Sequence, residues 1–221
     1  MNFGKSWSFL HNHLIPFCRS HLDPEILNLW ENKLTGPLNN RFRTMSNLQD
    51  LIIGRNQFNA TLEDILDCGD CSNTLTRFLS DQNPLVGSIP DRLFEFTKLT
   101  SLWISNSRLT GTIPTDIGKL AVLEQLHLLE NFYFSNTTVL PTELGNLHQL
   151  RELLVSDSAV GGTVPTELAN LSNLQLLRLG RTMQTGSIPQ GICEIPSLQL
   201  IEHGPKVECN CPGNVCVLVT S

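Results

Sequence analysis

Charge is scarce in this chain of 221 residues: 16% are Asp, Glu, Lys or Arg, against roughly 25% in an average soluble domain. The charge present has the wrong sign for binding phosphate. Fifteen basic against 21 acidic residues leave a formal net charge of -6, whereas affinity for nucleic acid comes from cations that displace counterions. Nucleic acid is therefore not an expected partner. Long apolar runs are missing too. None approaches the roughly 18 to 20 residues needed to cross a bilayer, so no membrane span is expected within the chain. A convincing signal peptide is also absent: Lys5 precedes Trp7, Phe9, Leu10, Leu14 and Ile15, but His11, Asn12 and His13 cut the apolar run and no small-x-small cleavage site follows. Apolar residues nonetheless reach 40%, which argues against disorder, and the low charge argues against a coiled coil.

What is abundant is periodicity. The pattern L-x-x-L-x-L-x-x-N-x-L-x-G-x-I-P runs from about residue 26 to residue 203, and its Asn-type position recurs at Asn32, Asn56, Asn83, Ser107, Asn131, Ser158 and Thr182, in steps of 24, 27, 24, 24, 27 and 24 residues. Apolar triplets precede these positions at fixed offsets: Leu48, Leu51 and Ile53; Leu99, Leu102 and Ile104; Leu123, Leu126 and Leu128; Leu150, Leu153 and Val155; Leu174, Leu177 and Leu179. The third unit keeps Leu75 and Phe78 but has Ser80 in the last place. Downstream come Leu85-Val86-Gly87-Ser88-Ile89-Pro90, Leu109-Thr110-Gly111-Thr112-Ile113-Pro114 and their equivalents.

The alternation in L-x-x-L-x-L predicts one short strand per unit, leucines inward and the intervening residues outward. The Asn side chain can pair turn backbone groups that would otherwise be buried unsatisfied, which Ser or Thr can do only in part. A lone unit exposes its leucine face, so only stacking buries it. Seven or eight units at roughly 4.8 Å per strand make a curved rod about 30 to 40 Å long.

This pattern resembles the plant-type extracellular leucine-rich repeat, as in receptor-like protein and receptor-like kinase ectodomains, and the resemblance covers about four fifths of the chain. It implies an α/β-type solenoid, a right-handed superhelix with a parallel concave β-sheet and an irregular or 3-10 convex side. The expected organisation is an amino-terminal helical segment or incomplete cap over 1–23, repeats over 24–206 and a cysteine-containing cap over 207–221. Relatives usually open with a cap holding a cysteine pair and a Trp. Here only Cys18 is present and Pro24 stands in the first leucine position, so we expect a segment whose cap lies upstream.

The two 27-residue steps place insertions on the convex side or edge, one holding Cys68 and Cys71, the other residues 132–139. Cys68 and Cys71 are expected to form a local disulfide, since a loop between repeats lacks the strand-to-helix context of a redox C-x-x-C. Cys193, Cys209, Cys211 and Cys216 resemble the cysteine-stapled caps of secreted relatives. Three pairings are open to these four, and a zinc site is disfavoured by the spacing. His11, His13, Cys18 and His21 would not converge on one helix face, so no metal and no cofactor is assigned. Asn59, Asn136 and Asn170 open N-glycosylation sequons.

The outward strand positions form columns along the concave sheet. Four residues before the Asn position stand Asn28, Ile52, Leu79, Trp103, His127, Leu154, Arg178 and Glu202; two before stand Trp30, Gly54, Asp81, Ser105, Leu129, Ser156 and Gly180. Ile52, Leu79 and Trp103 on consecutive rungs, continued by Leu129 and Leu154 and rimmed by Asp81, Glu130, Asp157 and Arg178, are expected to expose an apolar strip of the kind that binds protein or peptide. Trp103 with His127 is its expected hot spot. Ser105, His127 and Asp157 mimic a catalytic triad, but an open sheet offers neither pocket nor oxyanion donors. The expectation is a monomeric, non-catalytic binding module, extracellular or at the cell surface. The alternatives are a secreted inhibitor of wall-degrading enzymes and a wall or matrix scaffold.

Overall fold

The computed structural model describes residues 25–39, 42–213 and 215–220. The expectations for 1–23, including Cys18 and the histidine cluster, lie outside them. Among the described residues nine strands form one parallel sheet in strict chain order: β1 (Ile26–Asn28), β2 (Asp50–Ile52), β3 (Arg77–Leu79), β4 (Ser101–Trp103), β5 (Gln125–His127), β6 (Glu152–Leu154), β7 (Leu176–Leu179), β8 (Leu200–His203) and β9 (Cys216–Leu218). The register is continuous. Leu27, Leu51, Phe78, Leu102, Leu126, Leu153, Leu177, Ile201 and Cys216 align across it.

Each strand is three or four residues long because it is one face of a coil that must turn back within its unit. The return limb opens on the Pro of I-P or its equivalent, whose φ suits entry into helix. Pro90, Pro114, Pro141 and Pro165 immediately precede the 3-10 helices Asp91–Glu95, Thr115–Lys119, Thr142–Asn146 and Thr166–Asn170. These bury Leu93, Ile117, Leu144 and Leu168 against the strand leucines. The first insertion instead carries an α-helix, α1 (Leu62–Leu66), fixed by a capping box. Thr61 Oγ1 accepts from the Asp64 amide at 3.1 Å and Asp64 Oδ2 accepts from the Thr61 amide at 3.2 Å.

The Asn positions form the expected buried ladder. Asn56 Nδ2 donates to the carbonyls of Leu29, Ile53 and Gly54 at 2.9 to 3.0 Å, and its Oδ1 accepts from the Leu34 amide at 3.1 Å. Asn83 repeats this with Ile53, Ser80 and Phe58. Ser107 reaches only the Ser105 carbonyl, at 3.5 Å, and Asn131 on the next rung keeps its donors but leaves Oδ1 buried without a partner. The residue before each ladder position, Glu31, Arg55, Gln82, Asn106, Glu130, Asp157 and Arg181, is left-handed with φ between 49° and 58°. Such a bend costs roughly 1 kcal/mol or more in an L-residue, and the Asn ladder bonds the carbonyls just before it.

Cys68 pairs with Cys71, Cys193 with Cys211 and Cys209 with Cys216. The second ties the carboxyl-terminal loop to the short helix Gln190–Cys193, and the third ties that loop to Cys216 at the start of β9, which pairs with β8 as the last strand of the sheet. Cys209, Cys211 and Cys216 are close enough to be read as metal ligands, but their sulfurs are consumed in disulfides. No helix among the described residues is long and apolar enough to cross a membrane.

Candidate functional site

The concave columns fall where the alternation places them. Asn28, Ile52, Leu79, Trp103, His127, Leu154, Arg178 and Glu202 stand opposite one another across eight strands. The column with Gly54, Asp81, Ser105, Leu129, Ser156 and Gly180 follows at the strand ends, where Arg55, Gln82, Asn106, Glu130 and Asp157 donate to successive carbonyls of the neighbouring rung.

One expectation fails. Ile52, Leu79 and Leu154 are only 8%, 8% and 7% exposed, so they do not form a solvent-facing apolar strip. They occupy the middle of three outward columns whose rungs are roughly 4.8 Å apart, closed in by a column on either side and by the neighbouring rungs. Trp103 and Leu129 stay half-buried, and the accessible surface is polar.

That polarity comes mainly from a third outward column, Asp50, Arg77, Ser101, Gln125 and Glu152, on β2 to β6. The same period-two alternation marks these residues, which carry no apolar side chain. Arg77 grips Asp50 with two bonds of 2.8 and 2.9 Å. Farther along, Ser101 Oγ donates to Gln125 Oε1 at 3.0 Å, Gln125 Nε2 to Glu152 Oε1 at 3.1 Å, and Glu152 Oε2 lies 2.7 Å from His127 Nε2. His127 in turn stacks on Trp103, with ring centroids 4.6 Å apart and planes 16° from parallel.

Burial pushes the His127 pKa below its ordinary value of 6.5, against the upward pull of Glu152. The ring is therefore mostly neutral at pH 7. With Nε2 facing a carboxylate, the tautomer is inferred to carry its proton there. The Trp103 indole Nε1 is buried with no hydrogen-bond partner.

Two glycines shape the ends of the face. The Trp30 ring and the Asp81 carbonyl fill the space a side chain at Gly54 would need, and Arg55 lies over the same ring at 5.6 Å. At the other end Glu202 crosses the bare rung of Gly180. Its Oε1 accepts from Ser156 Oγ at 2.8 Å and its Oε2 lies 3.7 Å from Arg178 Nε.

Asp81 is a second incompletely satisfied group here. Desolvation raises its pKa despite its own backbone amide and Arg55, and Oδ1 has no partner. Because the folded pKa is raised, the stabilisation that comes with protonation is complete below the unfolded value of 3.8 and is lost as pH rises through the folded pKa. Asp81→Asn is expected to melt higher than wild type at pH 7, with the gap closing by pH 3.5. Equal midpoints at pH 7 would show the carboxylate to be adequately solvated.

Glu130 and Asp157 do rim the face, bonded to Asn106 at 2.8 Å and to Arg181 at 2.8 Å respectively. Ser105, His127 and Asp157 are not linked: Ser105 Oγ accepts from the Leu129 amide at 3.1 Å, His127 meets Glu152 and Asp157 meets Arg181. Asn59, Asn136 and Asn170 are all exposed, and none lies on a concave column.

A parallel sheet built one strand per unit in chain order, an internal Asn ladder and a convex row of 3-10 turns define a leucine-rich-repeat solenoid. The Leucine Rich Repeat family model matches residues 98–120, one unit of that solenoid. Its solved structural relatives include the plant peptide hormone receptor RGFR1, in complex with RGF2, at 27% identity and a TM-score of 0.75 over 86% of this chain. The ectodomain of the membrane receptor kinase GASSHO1/SCHENGEN3 from Arabidopsis thaliana, in complex with CASPARIAN STRIP INTEGRITY FACTOR 2, is 28% identical with a TM-score of 0.69 over 80%. A leucine-rich-repeat protein of Leptospira interrogans matches equally well, at 28% identity and a TM-score of 0.69 over 84%. The chain spans 31%, 21% and 44% of these three proteins respectively. No curated protein sequence matches it.

Proposed function

We propose that this chain is a non-catalytic recognition module, part of an extracellular receptor-like protein, that binds an extended peptide or protein segment across β3 to β8. The observation that carries the reading is the centre of the concave face. Trp103 is held flat against His127 with an unused indole donor, between a polar row ending at Glu152 and the Arg178–Glu202 pair. A half-buried aromatic set among oriented hydrogen-bonding groups is the composition of an interface hot spot. Side chains already paired with one another lose little conformational freedom when a ligand arrives. Two solved relatives above 25% identity are plant receptors in complex with a named partner, one of them a peptide hormone receptor, and three disulfides suit an oxidising compartment.

The test is selection of a random peptide display library on the folded protein. Enriched peptides are expected to lose about thirtyfold or more in affinity on Trp103→Ala, the scale of a hot spot of about 2 kcal/mol, while the thermal midpoint falls by no more than a few degrees. Enriched peptides that bind Trp103→Ala and Arg178→Ala as well as wild type would remove the concave face from the reading.

A further inference from the structure

A second surface lies outside the concave face. An open groove of about 290 Å³ runs across the turns that follow β3, β4 and β5. Its lining includes the left-handed residues Gln82, Asn106 and Glu130 and, two positions further along the same units, Pro84, Arg108 and Phe132, with Tyr133 next in the chain. Its position is not accidental. Ser107, part of the lining, is the first rung where a hydroxyl replaces the ladder carboxamide. The insertion that follows Asn131 then lifts Phe132 and Tyr133 into solvent, 62% and 60% exposed.

We infer that this groove is a carbohydrate site that takes a short pyranose oligosaccharide. Its walls offer two carboxamides, a carboxylate and a guanidinium, groups that present donors and acceptors in pairs, as the vicinal hydroxyls of a sugar ring require. Phe132 and Tyr133 supply flat apolar faces for the C–H side of the ring, and the Tyr133 hydroxyl adds a polar edge. Glu130 is already oriented by Asn106 Nδ2 at 2.8 Å, whereas Arg108 has no acidic partner among the described residues and is free to meet a hydroxyl, ring oxygen or sugar carboxylate. The groove spans two rung spacings, roughly 10 Å, room for two linked rings. An added peptide strand fits less well, because the amides of Gln82, Asn106 and Arg108 already donate to Ser105, Leu129 and Leu85, leaving them no hydrogen for a new strand.

This inference does not depend on the concave-face reading, and the variants keep the two apart. The purified chain is applied to an array of neutral and uronate-containing pyranose oligosaccharides, and each hit is titrated in solution. We expect at least one hit that loses about tenfold or more in affinity in the double variant Phe132→Ala, Tyr133→Ala and again in Arg108→Gln, while Trp103→Ala binds like wild type. The substituted side chains are exposed, so unchanged thermal midpoints are expected and verify folding. A preference for uronates assigns Arg108 to the carboxylate, and indifference assigns it to hydroxyls. No hit on the array, hits indifferent to both groove variants, or groove-dependent binding confined to peptides would each overturn the site.

Discussion

Asn56→Ala is expected to destabilise the protein by about 3 kcal/mol, because it removes a buried side chain that serves backbone groups in two units at once. Three carbonyls, those of Leu29, Ile53 and Gly54, lose a donor, and the Leu34 amide loses its acceptor. A buried polar group left unpaired costs roughly 1 to 3 kcal/mol, and partial relaxation of the turn keeps the sum near 3. For a chain of this size that lowers the thermal midpoint by about 6 to 12 °C. Ser107→Ala, one bond of 3.5 Å at the same structural position, is the internal control and is expected to cost less than about 1 kcal/mol. Equal losses in the two variants, read by differential scanning calorimetry, would mean that the ladder is incidental to stability.

A second pair of substitutions separates the two faces of the sheet. Leu126 is completely buried at the middle of β5, inside the coil, and Leu126→Ala is expected to cost about 3 to 4 kcal/mol, since both the transfer term and a residual cavity count against it. Leu154 is nearly as inaccessible, yet it stands on the concave side. Space vacated there opens to water, leaving only the transfer term, so Leu154→Ala is expected to cost about 1 to 2 kcal/mol. If the two losses match within error in chemical denaturation, Leu154 belongs energetically to the core.

The failed expectation at Ile52, Leu79 and Leu154 shows where sequence reading stops. Period-two alternation says which side of a strand a residue faces, and the register across β1 to β8 agrees with it at every rung. Exposure is a different quantity, because it depends on the height of neighbours on adjacent rungs and columns. The same alternation places Asp50, Arg77, Gln125 and Glu152 in one outward column, but the bonds that link them across rungs depend on side-chain rotamers that alternation does not specify. The groove at Ser107 carries a faint signal, a ladder position without its carboxamide ahead of an insertion with two aromatics, but its walls come from three units and close only when the rungs stack.

The sequence by itself determined the solenoid, its repeat boundaries, the strand register and the interior ladder, because each unit carries its own complete set of leucines, turn residues and ladder group, and such local periodic information survives without knowledge of distant contacts. Only the tertiary structure decided which outward residues are accessible, which cysteines of the carboxyl-terminal cluster pair, that Cys216 to Leu218 return as a ninth strand, and where the lateral groove opens. Those properties belong to contacts between units, whose geometry is set by how the rungs curve and pack rather than by any one repeat.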